Sequence, residues 1–386
     1  MDKIYILSNS IKVHFLPIKT NGLIYLYIGF GKGASIDEYG KEGTVHLFEH
    51  LLTSLLETSG LQTLLEDNGF DINGETDLTK MALTVETDKQ HIKETISLIV
   101  NTLNNIRIYK KQLAVAKKVV KAEFYERFKE ADNISFLTSL KNGTYKYKRF
   151  SRDESIKSIS AVKIKDIKKV QKLLFSKSNI FITIIGCNDE DSSFILSKFS
   201  KIKVKENIKE KKSFSLAVKP MKDFYIPKKN IGNFTFSSTP SISNYIVLEI
   251  LTHHLIGWYN AILDYYLRSY ASISYGAGNY ISFTEKNIIS TYYFEAYNKK
   301  MIYKGINHFK KEDFMPTLKQ FNIAKKRFII EFYEQANDDI CSYFEDIHLN
   351  ISKSIKYNEL LSQIKSFKYE KFKRIFKDLE FTKYAS

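Results

Sequence analysis

The sequence predicts an α+β protein built from two related domains. Three observations carry this reading. Strand-length apolar runs alternate with longer stretches of helical period, a lysine-rich segment divides the 386 residues near the middle, and the same order of elements recurs beyond it. The length also exceeds what one ordinary hydrophobic core fills.

In the first half, LIYLYIGF (23–30) and NIFITIIG (179–186) are β-branched and aromatic runs of strand length, and ALTVET (82–87) alternates polar with apolar. The amino-terminal stretch MDKIYILSNSIKVHFLPIKTNG alternates as well, so it predicts two strands rather than a signal peptide, which needs an unbroken apolar core and a small-residue cleavage site. Helices are expected near 43–57, 59–68, 89–105, 109–130 and 162–174. Beyond the divide the expected order is a strand near 233–238, a long helix over 242–268, strands near 273–283 and 287–297, and helices over 299–309, 316–345 and 355–375. The expected domains are therefore 1–204 and 231–386, joined by a lysine-rich linker over 205–230.

Charge and cysteine usage narrow the function classes. The formal net charge is +16, but residues 201–230 alone hold ten lysines against three acids, so much of the excess is one local, solvated run and not a nucleic-acid footprint. Such a basic surface would attract acidic peptides. Two cysteines far apart, Cys187 and Cys341, exclude a disulfide framework and a cysteine zinc cage, and fit a cytoplasmic location. No stretch approaches the roughly 18 apolar residues that span a bilayer, so no membrane partner is expected.

The informative segment is HLFEH, residues 46–50. On a helical wheel His46, Glu49, His50, Thr53 and Glu57 share one side, while Leu47, Phe48, Leu51, Leu52, Leu55 and Leu56 share the other. The leucine side can anchor the helix and leave two imidazoles and a carboxylate projecting together. Histidines one turn apart supply half of a tetrahedral zinc site, and Glu49 would stand beside a reacting water as general base. The plainer reading of the same letters is a polar helix face. The metal reading needs a third ligand.

That ligand is sought in LAVAKKVVKAEFYERF, residues 113–128. Glu123 falls within the stripe of Leu113, Ala116, Val119 and Val120, where an unpaired carboxylate would be costly and a cation would remove the objection. Glu126 lies at the edge of the stripe and is the reserve.

The stretches GASIDEYGKEGTVHLFEHLL, LEDNGFDINGETDLTKMALTVET and VVKAEFYER together resemble the M16 zinc metallopeptidases, the family of pitrilysin and the mitochondrial processing peptidase. The resemblance implies two homologous domains of the LuxS/metallohydrolase kind, each a mostly antiparallel sheet with helices packed on it, forming half of a clamshell. It implies Zn2+ on His46, His50 and Glu123, with Glu49 as general base. Asn73 and Thr76 match the family's N-A-x-T stretch, an edge strand that pairs with extended substrate, although Gly74 replaces its alanine. LRSYASISYGAGNY (267–280) is similar to the segment that supplies Arg268 and Tyr275 to substrate and oxyanion from the opposite half. Two departures stand out: Ala116 occupies the place of a second glutamate, and the 73-residue interval from His50 to Glu123 is slightly short.

The resemblance to half-size members implies a homodimer, or a heterodimer with a homologous subunit, that closes a chamber around unfolded peptides such as acidic leader peptides. The rival expectation is a non-catalytic, peptide-binding subunit that completes a partner's site. Two other motifs lead elsewhere. GFGKGAS (29–35) lacks the spacing of a phosphate loop and reads as a tight turn. His253 and His254 are adjacent on a helix and point about 100° apart, which makes them poor joint ligands.

Overall fold

The computed structural model describes residues 2–38, 40–77, 79–127, 152–206, 230–258, 260–274, 276–283, 286–334, 337–352 and 354–385. Most of the expected linker and Tyr275 lie outside the described residues. The chain forms two compact units: Met1–Ala122 with Glu154–Phe214 and Gln335–Leu360, and Glu123–Asp153 with Ser215–Glu334 and Leu361–Ser386. The architecture is α+β.

The first unit is a six-stranded mixed sheet, order β1-β2-β6-β3-β5-β4, from Lys3–Ile6 (β1), Lys12–Phe15 (β2), Leu23–Phe30 (β3), Ile72–Thr76 (β4), Met81–Asp88 (β5) and Ile180–Ile185 (β6). Only β2 and β6 pair in parallel. Every residue of β6 is buried, as expected of a central strand with both faces covered. At the end of the order lies β4, a five-residue edge strand whose partner is β5.

One face of this sheet carries Thr44–Thr58 (α1), Leu61–Glu66 (α2) and Ile92–Asn104 (α3); Lys110–Arg127 (α4), Arg152–Ala161 (α5), Ile164–Leu174 (α6) and Asp189–Phe199 (α7) complete the helices of the N-terminal half. The last of these was not expected from periodicity. It is started by Asn188, whose side chain accepts the Asp191 N–H, and by three acids in its first turn that favour the positive end of the helix dipole.

The other face meets Asn337–Asn350, a helix far along the chain that packs on β3 and β6. A Cβ at Gly29 would collide with the Glu345 side chain of this helix, so the glycine in β3 lets it approach. The contact buries Lys80 and Glu345 within a charged cluster. Lys80 Nζ lies 3.0 Å from Glu75 and 2.8 Å from Asp346, and the Tyr27 hydroxyl donates to Glu75. Burial drives the Glu345 carboxyl well above the usual carboxylate range, against the pull of Lys80.

The second unit holds a four-stranded antiparallel sheet, order β10-β7-β9-β8, from Ile231–Ser238 (β7), Gly278–Phe283 (β8), Ile288–Glu295 (β9) and Glu380–Ala385 (β10). Its core is aromatic: Phe234 and Phe236 stand among Phe314, Phe376 and Phe381. Ile242–Leu255 (α8) packs on Leu318–Glu334.

Two long helices expected from sequence are interrupted, and a third is described in two parts. The first stops at Leu255, where Ile256 is extended and Gly257 turns left-handed at φ +88, and Asp264 then accepts the backbone N–H groups of Gly257 and Ala277 at 2.7 and 2.8 Å. A short turn, Ile262–Asp264 (α9), runs on into a π-helix, Tyr265–Tyr270. After Lys299–His308 (α10), the expected 316–345 helix is Leu318–Glu334 (α11) and Asn337–Asn350 (α12), which belong to different units. The expected 355–375 helix is Tyr357–Ser366 (α13) and Tyr369–Asp378 (α14), broken at Lys368, which is extended. Among the described residues no helix is long and apolar enough to cross a membrane.

The start of α1 is fixed from a distance. Gly43 precedes it in the left-handed conformation, φ +90, and the buried Asp37 carboxylate accepts the N–H groups of Gly43 at 2.7 Å and Val45 at 2.9 Å. Burial pushes the Asp37 carboxyl up to about 7, against those N–H groups, which favour its charged form. The folded state therefore keeps a proton that the unfolded chain releases near pH ~4, and this contribution to stability is lost as pH rises towards about 7. Asp37→Asn should remove that dependence. The melting temperature of the variant relative to wild type should rise between these two pH values, as thermal denaturation across a pH series will show; a difference that stays flat or falls contradicts the assignment.

Candidate metal centre

Helix α1 behaves as its periodicity requires. Val45, Leu47, Phe48, Leu51, Leu52 and Leu56 are buried, and only Leu55 of the expected apolar side is half-exposed. The opposite side faces β4. Strand residues alternate faces, so Gly74 and Thr76 point at α1 while Asn73 and Glu75 point away.

His46, Glu49 and His50 form one cluster, each offering a ligand atom within 4.8 Å of the others. The two Nε2 atoms are 3.2 Å apart, with ring centroids 4.8 Å apart. Two ring nitrogens at this distance share either a proton or a cation. Tetrahedral zinc with Zn–N of about 2.05 Å spaces its nitrogen ligands by about 3.3 Å, so the pair fits a zinc ion without rearrangement. Glu49 is 5% exposed; its Oε2 lies 3.7 Å from His46 Nε2 and accepts the Thr76 hydroxyl at 3.1 Å. A carboxylate this buried, next to two imidazoles, belongs to the site and is not a solvated helix surface.

The other expected site residues stand as follows. Glu123 is half-buried on α4, in line with buried Leu113, Ala116 and Val120; Val119 of the expected stripe is exposed. Glu123 begins a segment of the second compact unit and is not one of the three clustered side chains. The Glu126 side chain lies outside the described residues. Arg268 sits on the π-helix in the second unit, half-buried, beside Trp258, Asp264 and Tyr293 around a cavity of about 670 Å3. Asn73 is exposed; its side chain accepts the Gly74 N–H at 2.8 Å, on the face turned away from Glu49.

The structure also shows what the two other motifs do. Gly33 lies so close to the backbone of Asp77 and Lys80 that no side chain fits, a packing turn as expected. His253 stacks on Phe328 with Nε2 3.3 Å from Glu331, His254 is buried, and burial pulls both imidazoles down to about 4. Sequence reasoning missed the Asp37 cap, six to eight residues from its donors with no local motif, and the Asp264 clasp beside Arg268.

Residues 19–153 match the family model of insulinase (peptidase family M16). The zinc protease PqqE of Helicobacter pylori (strain ATCC 700392 / 26695) is 22% identical over 198 residues, 50% of this chain and 45% of that protein, so the match spans less than half of the relative's length. The structure of a protease from Helicobacter pylori superposes with a TM-score of 0.76 at 14% identity, covering 99% of this chain and 98% of that one. The periplasmic protease PqqL from Escherichia coli superposes with a TM-score of 0.65 at 11% identity; all of this chain matches 47% of that one. At such identities the likeness is one of fold. The family match covers residues 19–153, about a third of the chain and the segment that holds the histidine–glutamate cluster, and the fold is shared along the chain's length.

Proposed function

We propose that the chain is a zinc-dependent endopeptidase acting on extended peptides. The observation that carries this reading is the His46–Glu49–His50 cluster lying directly under the edge strand β4. His46 and His50 hold the ion, and Glu123 is the proposed third ligand. When bound there, zinc polarises a carbonyl and makes a water molecule easier to deprotonate.

The chain's own residues supply the rest. As an edge strand, β4 can take an added strand, so an unfolded segment can pair along it and present its backbone to the cluster. Glu49 accepts the proton of the attacking water and returns it to the leaving amine, a role worth ~10²–10⁴ in rate. Arg268 and Tyr275 are proposed to serve substrate and oxyanion as donors in a chamber closed by a homodimer or a homologous partner. Acidic leader peptides suit the charge of +16. Cys187 and Cys341, which form no disulfide, suit the cytoplasm. The alternative reading is a non-catalytic, peptide-holding subunit that completes a partner's site.

Metal analysis and a cleavage assay separate the two. The purified chain should hold one zinc, Glu49→Gln should keep it while losing ~10²–10⁴ in kcat, and His50→Ala should lose both metal and activity. A metal-free wild type, or a Glu49→Gln variant of undiminished activity, sinks the peptidase. If the basic surplus steers substrate, cleavage of an acidic peptide should slow with rising salt more steeply than that of a neutral one of equal length.

A further inference from the structure

We infer that strand β4 positions the general base as well as the substrate: Thr76 tethers the Glu49 carboxylate and Gly74 keeps open the space it occupies. This rests on the peptidase reading above. Two residues apart on one strand, Thr76 and Gly74 face the same way and address different oxygens of the same carboxylate.

Thr76 Oγ1 donates to Glu49 Oε2 at 3.1 Å. A Cβ at position 74 would lie 2.8 Å from Glu49 Oε1, 3.0 Å from its Cγ and 3.0 Å from Thr53 Cγ2. Nothing in the backbone asks for glycine there, because Gly74 is not among the positive-φ residues and pairs regularly with Leu83 of β5. Glycine weakens a strand interior, and its presence marks a close approach by another group. Here that group is Glu49.

A glutamate has several rotatable bonds, so burial by itself leaves its carboxylate free to turn. The Thr76 hydroxyl holds one carboxylate oxygen against the strand, and the absence of a side chain at Gly74 leaves room for the other. In consequence, base and scissile bond are referred to the same five residues. Thr76 is therefore a positioning residue that acts through Glu49, and Gly74 lets the base lie close against the strand.

Thr76→Val removes the donor at nearly constant shape, and Thr76→Ser keeps it. With a quenched-fluorescence peptide, Thr76→Val should lower kcat about 10–100-fold, with KM and zinc content close to wild type, and Thr76→Ser should recover most of the kcat lost. A second readout needs neither metal nor activity. In chelator-treated protein, Thr76→Val should lower the melting temperature by about 2–4 °C, and by roughly nothing when Glu49→Ala is already present. Equal losses in both backgrounds, or a raised KM at unchanged kcat, overturn the inference. Should Glu49→Gln prove fully active, the peptidase reading falls, and the melting cycle alone decides whether the tether exists.

Discussion

The first unit depends on one constraint: helix α1 has to bury its leucines in the core while its other side meets a sheet edge. Two imidazoles and a carboxylate cannot be left facing hydrocarbon. They are accommodated because β4 is short, ends the sheet, and offers a hydroxyl and a side-chain-free glycine at the point of contact. Asp37 fixes where the helix begins, so the cluster has a defined height against the strand. Amphipathicity, cap and strand edge together bring His46, Glu49 and His50 to one place.

The opposite face of the same strand is held differently. Glu75 points away from Glu49 towards Tyr27 and Lys80, and Lys80 bridges on to Asp346 of α12. One lysine stands among Glu75, Asp346 and Glu345, and burial holds the Glu345 carboxyl well above the usual carboxylate range. Strand β4 is thus clamped on both faces, by a hydrogen bond to the base on one and an ionic cluster on the other. For a strand proposed to receive substrate, rigidity of this kind keeps the register of pairing constant.

Legibility followed the range of the forces. Strands β3, β5 and β6 and helices α1 and α3 were plain in the sequence because their burial imposes a local period of 2 or 3.6. The missed breaks at Gly257 and at Lys368 lie inside apolar-rich stretches where the period persists across the interruption. What ends the first of them is Asp264, a side chain seven residues further on, clasping Gly257 and Ala277. Helix α7 went unseen for the opposite reason: its acidic first turn and modest apolar face read as loop, although Asn188 is a proper cap.

By itself, the sequence determined the two-domain α+β class, the apolar stripe that seats α1, and the one-turn spacing of His46 and His50 around Glu49, because each follows from residues near one another in the chain. Only the tertiary structure decided that α12 joins the first sheet from more than 300 residues beyond β3, that Thr76 reaches Glu49 across 27 residues, and that Gly74 is there for room and not for a turn. The physical reason is that a donor's distance and a missing methyl have no period. They exist only once the strand and the helix are pressed together.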